Sequence, residues 1–374
     1  MKYTTSRRRL RAPALAATLA LALTGCSAAE GSHQNSAAAT ATGLAEFGSM
    51  DDLEAAAKSE GQLNVIALPR DWANYAEIID LFTSRYPQIA VNEQSPDVSS
   101  AEEIQTATTN RGLDTAPDVF DLGLTVALQN TEQFAPYKVQ RWNDIPDALK
   151  EPSGLFSADY GGYMSIGYDS SKFNEPHALD DLLDDDFTSA VALNGDPTQS
   201  GSAFAAVALA TVQNGGDLDS FQTGIDFFSR LDSTGNFLKL DVTTATVSNG
   251  ETPVVFDWDY LNTALGEGNP SWKVAILPGP GIAGYYNQAI NVDAPHPAAA
   301  RLWQEFLYSD EVQNLWLKGG ARPARMEAMI EAGTIDAALV DTLPDAPDDI
   351  MVPSEEQSAD AGTLLGSEWA GALQ

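Results

Sequence analysis

Apolar residues recur in short blocks from about residue 51 onward, and proline or glycine closes most of them. Leu63-Asn64-Val65-Ile66-Ala67-Leu68 has strand length and stops at Pro69. Behind it Tyr75, Ile78, Ile79 and Phe82 fall on one helical face, ended by Pro87. Ile89-Ala90-Val91 opens a second strand. Ser100, with Glu103 three residues on, predicts a capping box at the next helix. Asp118 to Leu122 reads as a third strand. This β-α-β-α-β order predicts a parallel α/β sheet.

Further on, Tyr163 to Asp169 alternates like a strand, Asp180 to Phe187 is an acidic helix or turn, and Val191-Ala192-Leu193 is a short strand. Phe204 to Val212 is a mostly apolar helix, and Phe221 to Leu231 an amphipathic one. Pro253 to Phe256 and Lys273 to Leu277 read as strands. Pro297 starts a helix carrying Leu302, Trp303, Phe306 and Leu307, and Ser309 caps another that ends at Gly319-Gly320. The chain shows no internal repeat. Its end, from Ser354, is polar and then weakly amphipathic, a helix able to dock back.

The first residues break this pattern. Lys2, Arg7, Arg8, Arg9 and Arg11 precede the apolar run Ala14 to Leu23, the order of a secretory signal. The run is too short to span a membrane, which takes about 20 apolar residues. Ser6-Arg7-Arg8-Arg9-Leu10 is similar to a twin-arginine export signal. Leu23-Thr24-Gly25-Cys26 resembles the lipobox of bacterial lipoproteins, which implies cleavage after residue 25, a lipid on Cys26 and an extracytoplasmic, membrane-anchored protein. Residues 26–50, rich in Ala, Ser, Gly and Thr, then read as a flexible tether.

The chain has 20 basic and 53 acidic residues; without the signal, 15 basic residues remain and the net charge is −38. Such a surface repels nucleic acid and anionic membrane, so the membrane enters only through the lipid. Cys26 is the sole cysteine. Once it is lipidated, disulfides, thiol nucleophiles and cysteine metal sites are excluded.

Leu182-Leu183-Asp184-Asp185-Asp186-Phe187, Asp196-Pro197-Thr198-Gln199-Ser200-Gly201, Gly250-Glu251 before Val254 to Phe256, and above all Asn291 to Gly320 resemble the iron- and polyamine-type extracellular solute-binding proteins of ABC importers. The resemblance covers most of residues 60–325. It implies a two-lobed α/β periplasmic-binding-protein fold of type II, with discontinuous lobes joined by two crossing strands. Lobe 1 would take 60–162 and 272–325, lobe 2 would take 163–271, and 326–374 would pack on them. It also implies a monomer without cofactors that binds a small molecule between its lobes and delivers it to a membrane permease.

Ligands in open α/β sheets sit beyond the carboxyl ends of strands. That rule selects four places. Asp71 and Trp72 follow the first strand, and Gly123 follows the third. Thr198 and Ser200 precede a helix whose exposed N–H groups suit an anion, although simple N-capping explains them as well. Asp257-Trp258-Asp259-Tyr260 ends an apolar strand; if the strand continues, both aspartates point to one side. Paired carboxylates beside aromatics suit a cationic amine, through ion pairing and cation–π contact. Within the resemblance, Trp258 falls near a tryptophan that polyamine binders lay against the ligand. Tyr285-Tyr286 is similar to the tyrosine pair of ferric-ion binders, though that pair follows the strand that here carries Asp257 to Tyr260.

The expected ligand is therefore a cationic amine such as a polyamine. A ferric ion or chelate, or a phosphorylated or phosphonate ligand at Thr198 to Ser202, are alternatives. Two other classes stay open: a carboxylate-dependent glycosidase and a surface interaction protein. Glycosidases hold their carboxyls about 5–10 Å apart across a sugar, which i, i+2 neighbours do not. His33, His177 and His296 are scattered, so no histidine pair has metal spacing. No G-x-S-x-G elbow, Walker loop or dinucleotide fingerprint occurs.

Overall fold

The computed structural model describes residues 37–373. Cys26, the signal and His33 lie outside the described residues.

Two long strands organise the molecule. β5 (Phe156–Asp169) and β9 (Pro280–Asn291) pair antiparallel along residues 156–163 of β5. From Met164 onward β5 instead pairs with β7 (Val254–Trp258) and β8 (Trp272–Ala275), and β7 holds β6 (Val191–Leu193) in parallel. The later residues of β9 pair with β3 (Val119–Gly123) and β4 (Phe134–Ala135). β5 and β9 thus pass from one lobe to the other. The register of β5 shifts between Ala158 and Gly161, at the passage.

The first lobe adds β1 (Gln62–Ile66) and β2 (Ala90–Gln94), which pair in parallel as their β-α-β order predicts. β3 departs from that expectation, since it runs antiparallel to β9 and touches β1 through the Asp118 N–H on the Asn64 carbonyl. The sheet is mixed because a returning crossing strand fills the neighbouring position. β8, expected in lobe 1, pairs with the far half of β5 and so lies with lobe 2.

Each lobe has an aromatic core. In lobe 1 Phe82 of α1 (Tyr75–Arg85) meets Trp303 and Phe306 of the helix Pro297–Leu307 with ring centroids 5.1 Å apart. In lobe 2, Phe228 packs on Phe227, Phe256 and Trp369. Trp369 belongs to the C-terminal helix Glu355–Ala372, which lies on the helix Gln222–Ser233 and also reaches the helix Leu124–Gln129 of lobe 1. Before it, β10 (Arg322–Pro323) pairs with β5, and β11 (Asp349–Met351) pairs in parallel with β9.

The expected tether of residues 26–50 is corrected from residue 37 onward. Ala38 and Ala41 are buried, and the buried Arg301 guanidinium donates to the carbonyls of Ala39 and Ala41 at 2.9 and 2.8 Å. A buried cation needs such acceptors, and small alanines let the chain approach them. The capping box also moves by one residue: Ser99 and Glu102 form it, while Glu103 turns inward. The acidic stretch Asp180 to Phe187 forms two short 3-10 turns. Among the described residues no helix is long and apolar enough to cross a membrane.

Candidate functional site

One strand in each lobe carries Val-Phe-Asp: Val119-Phe120-Asp121 opens β3, two residues before its end, and Val255-Phe256-Asp257 lies one residue before the end of β7. Each turns into a helix within three residues, through a cap of nearly the same conformation, Gly123 (φ −59°, ψ 143°) and Trp258 (φ −57°, ψ 143°). The alternation of each strand sends its aspartate inward, and both carboxylates are buried.

Between the two lies a belt of aromatic rings. Trp72 meets Tyr286 edge-on at 5.4 Å, and Tyr286 stacks on Tyr160 at 5.6 Å. Tyr160 meets Tyr260 edge-on at 5.7 Å and stacks on Trp316 at 4.4 Å. Trp258 lies over Gly284, where an added Cβ would come within 2.3 Å of its ring, so only glycine admits that approach. The rings come from both lobes and from the crossing strands.

Asp121 Oδ2 accepts hydrogen bonds from the hydroxyls of Tyr75 (2.8 Å) and Tyr160 (3.1 Å). Its Oδ1 has no partner among the described residues. Glu103 and Asp159 are buried nearby: Glu103 accepts from the Asp121 N–H at 3.1 Å, and Gln288 donates to Asp159 at 3.0 Å. Burial pushes all three carboxyls upward, and the Asp121 charge adds to this for Asp159 and Glu103. Asp257 accepts from Ser202 Oγ, from Asn194 Nδ2 at 2.6 Å and from the Trp258 N–H at 2.8 Å. Burial still raises it to about 7, against the pull of those bonds. Among the described residues no lysine or arginine pairs with Glu103, Asp121, Asp159 or Asp257. Burial raises the Tyr260 and Tyr286 hydroxyl pKa values most, and the charges of Asp121 and Asp257, one from each lobe, add to it at both phenols.

The expected site residues divide. Trp72, Asp257, Trp258, Tyr260 and Tyr286 come together in the belt. Asp71 is exposed. The Gly123 N–H is taken by Ser100 Oγ at 3.1 Å and is not offered to a ligand. Thr198 is exposed, and its N–H and hydroxyl both bond Asp196 Oδ1; the Gln199 and Ser200 N–H groups bond the Asp196 carbonyl. Ser200 is a helix N-cap that accepts from the Ala203 N–H. The anion site expected there is therefore filled by the loop's own aspartate. Tyr285 packs against Gly161 at the strand crossing, away from Tyr286, because neighbours on a strand face opposite ways.

Asp259 also departs from expectation. β7 ends at Trp258 and Asp259 starts a helix, so the two aspartates do not share a strand face. Asp259 forms a buried ion pair with Arg322 and accepts from the Tyr163 N–H at 3.0 Å. Gly162 leaves room for it, since a Cβ there would stand 2.0 Å from its Oδ1. Arg322 also donates to the Pro344 carbonyl at 2.7 Å and lies 4.2 Å from the centroid of the Tyr163 ring. Asp259 is a fastening of the crossing. Sequence reasoning missed Asp121, Tyr75, Tyr160 and Trp316. The repeated Val-Phe-Asp is the signal that could have found Asp121.

A model of the bacterial extracellular solute-binding proteins matches residues 115–346. The chain belongs to that family. Its match takes in both Val-Phe-Asp strands, the crossing strands and Arg322. Solved structures agree on the fold. The periplasmic binding protein AfuA from Actinobacillus pleuropneumoniae, with fructose-6-phosphate bound, is 16% identical, with TM-score 0.64 over 84% of this chain and 98% of its own. The spermidine/putrescine ABC transporter substrate-binding protein PotD from Streptococcus pneumoniae is 14% identical, with TM-score 0.60 over 84% and 99%. A ferric binding protein from Campylobacter jejuni is 16% identical, with TM-score 0.61 over 83% and 99%. No curated protein matches the chain.

Proposed function

We propose that this solute-binding protein is the lipid-anchored receptor of an ABC importer, and that its ligand is a small cationic amine. The observation that carries the ligand class is the pair of buried strand carboxylates, Asp121 and Asp257. Asp121 bonds Tyr75 and Tyr160 of the ring belt, Asp257 stands next to Trp258 in the other lobe, and among the described residues no lysine or arginine pairs with either. Buried carboxylates need a positive charge or a proton. An ammonium group supplies the charge, and Tyr286 and Trp258 supply ring faces for cation–π contact. A phosphorylated ligand is disfavoured, because the Thr198 to Ser200 N–H groups are already used and the belt is acidic.

Several solved relatives are named as ABC transporter binding proteins, which supports the importer partnership. Lipidation of Cys26 would hold the receptor at the membrane, where local concentration substitutes for affinity toward the permease. The ligand reading is tested by native purification, mass spectrometry of the released small molecule, and thermal shift with an amine panel. At a hundredfold excess over Kd a true ligand adds about 2.7 kcal/mol of stability. A released molecule without an amine, together with no shift from any amine, would refute it.

A further inference from the structure

The belt holds more than an uncompensated charge. Four donors in it have no acceptor among the described residues: Trp72 Nε1, Trp258 Nε1, Tyr260 OH and Trp316 Nε1, the last on a fully buried ring packed against Tyr75 and Tyr160. One acceptor, Asp121 Oδ1, has no donor. Trp258, Tyr260 and Asp121 are each more than nine-tenths buried. An unpartnered indole alone marks no site: Trp303 Nε1 is also unpartnered, yet it sits in the lobe 1 core beside Phe82 and Phe306. The belt differs because its unpartnered atoms have both signs and come from both lobes, Trp72 and Tyr260 on one continuous chain of rings and Trp258 against Gly284 of the crossing strand.

These atoms describe what a guest must offer. Indole N–H is a donor only, whereas a hydroxyl both donates and accepts. An unmodified alkylamine or polyamine carries only N–H donors when charged. It satisfies Asp121 and leaves the indoles of Trp72 and Trp258 without acceptors. A carboxylate or phosphate supplies acceptors but brings a second negative charge beside Asp121, Asp159 and Asp257, where like charges repel. A hydroxyl accepts from an indole and donates to a carboxylate without adding charge.

Building on the amine reading, we infer that the natural ligand is a hydroxylated amine of the amino-alcohol or amino-sugar class, its ammonium held by the carboxylates and its hydroxyl oxygens receiving Trp72, Trp258 and Tyr260. Its C–H faces lie on the ring of Tyr286. The two tryptophans and Tyr260 are then the residues that select a hydroxylated amine over a bare one.

The test is calorimetric titration of the whole protein, stripped of bound ligand, with matched probes: butylamine, putrescine, 4-aminobutanol, glucosamine and 4-aminobutanoate. 4-Aminobutanol or glucosamine should bind at least tenfold more tightly than butylamine and putrescine, with 4-aminobutanoate weakest. Trp258→Phe keeps the ring and removes the N–H, and Tyr260→Phe removes the hydroxyl. Each should shrink the preference for the hydroxylated probes over the bare amines toward parity. If butylamine or putrescine binds as tightly as the hydroxylated probes, the hydroxyl inference fails and the amine reading stands. If 4-aminobutanoate binds best, the inference also fails. If no amine of any kind binds, both readings fall.

Discussion

The two Val-Phe-Asp strands look alike in sequence, yet the molecule treats their carboxylates differently. Asp257 in lobe 2 receives three hydrogen bonds, from Ser202, Asn194 and the Trp258 N–H. Asp121 in lobe 1 receives two phenol hydroxyls on one oxygen, keeps the other unpartnered, and has Asp159 and Glu103 as buried neighbours. One carboxylate is supported by its own lobe; the other leaves a demand unmet. The contrast separates two ways in which a cleft acid serves binding. Asp257 is held in place by dipoles, and Asp121 is destabilised by its burial beside two other buried acids.

Three measurements test this contrast. The largest effect concerns the third acid. Asp259→Ala leaves Arg322 buried and unpaired, which costs about 3–5 kcal/mol. Chemical denaturation should show that loss, and Asp259→Ala should be the least stable of the aspartate variants. A stability within about 1 kcal/mol of wild type would mean that the crossing is fastened elsewhere.

Next come the two Val-Phe-Asp acids themselves. Asp257→Asn sets its new amide against the Asn194 amide and strands a donor, at about 1–3 kcal/mol. Asp121→Asn removes a charge from an acidic cluster and should raise the denaturation midpoint of the ligand-free protein at pH 8. Opposite signs support the contrast. Equal losses would show that Asp121 is as well supported as Asp257.

The smallest effect is the pH dependence. Asp121, Asp159, Glu103 and Asp257 all hold their protons to higher pH in the fold than in the unfolded chain, where a carboxyl loses its proton near pH 4. Above about pH 4 the native state therefore binds more protons than the unfolded state, and stability falls as pH rises. Asp257 completes its share of that fall near pH 7. Tm without ligand should drop between pH 5 and pH 8, and Asp121→Asn should flatten the slope by about 2–4 °C. An unchanged slope in that variant would remove Asp121 from the cause.

Much of the fold was legible because apolar spacing reports burial directly. Val65, Ile78, Phe82, Phe256 and Trp303 are core residues where their periodicity places them. Legibility ended where long-range pairing decides. Nothing near Asp259 foretells Arg322, 63 residues later, and the strand-to-helix change at Trp258 turns an apparent i, i+2 pair into two unrelated groups. Asp121 lay inside an ordinary apolar strand, and only its partner motif in the other lobe gives it meaning. Ser200 read equally as cap or anion donor; Asp196, in the same loop, decides for the cap. The alanines after residue 36 look like linker by composition, but the buried Arg301 needs their carbonyls.

β5 is one strand of 14 residues shared between two sheets; β9 runs alongside it, and β11 alongside β9. Each lobe is consequently stitched from separated stretches of the chain. Neither can be cut out at a single site without leaving a sheet short of a strand. Genetic dissection into halves should yield fragments that complement each other when co-expressed and fail alone. A reporter domain belongs in a surface turn such as Gly266–Gly268, between an intact helix and strand, rather than at the apparent boundary between lobes.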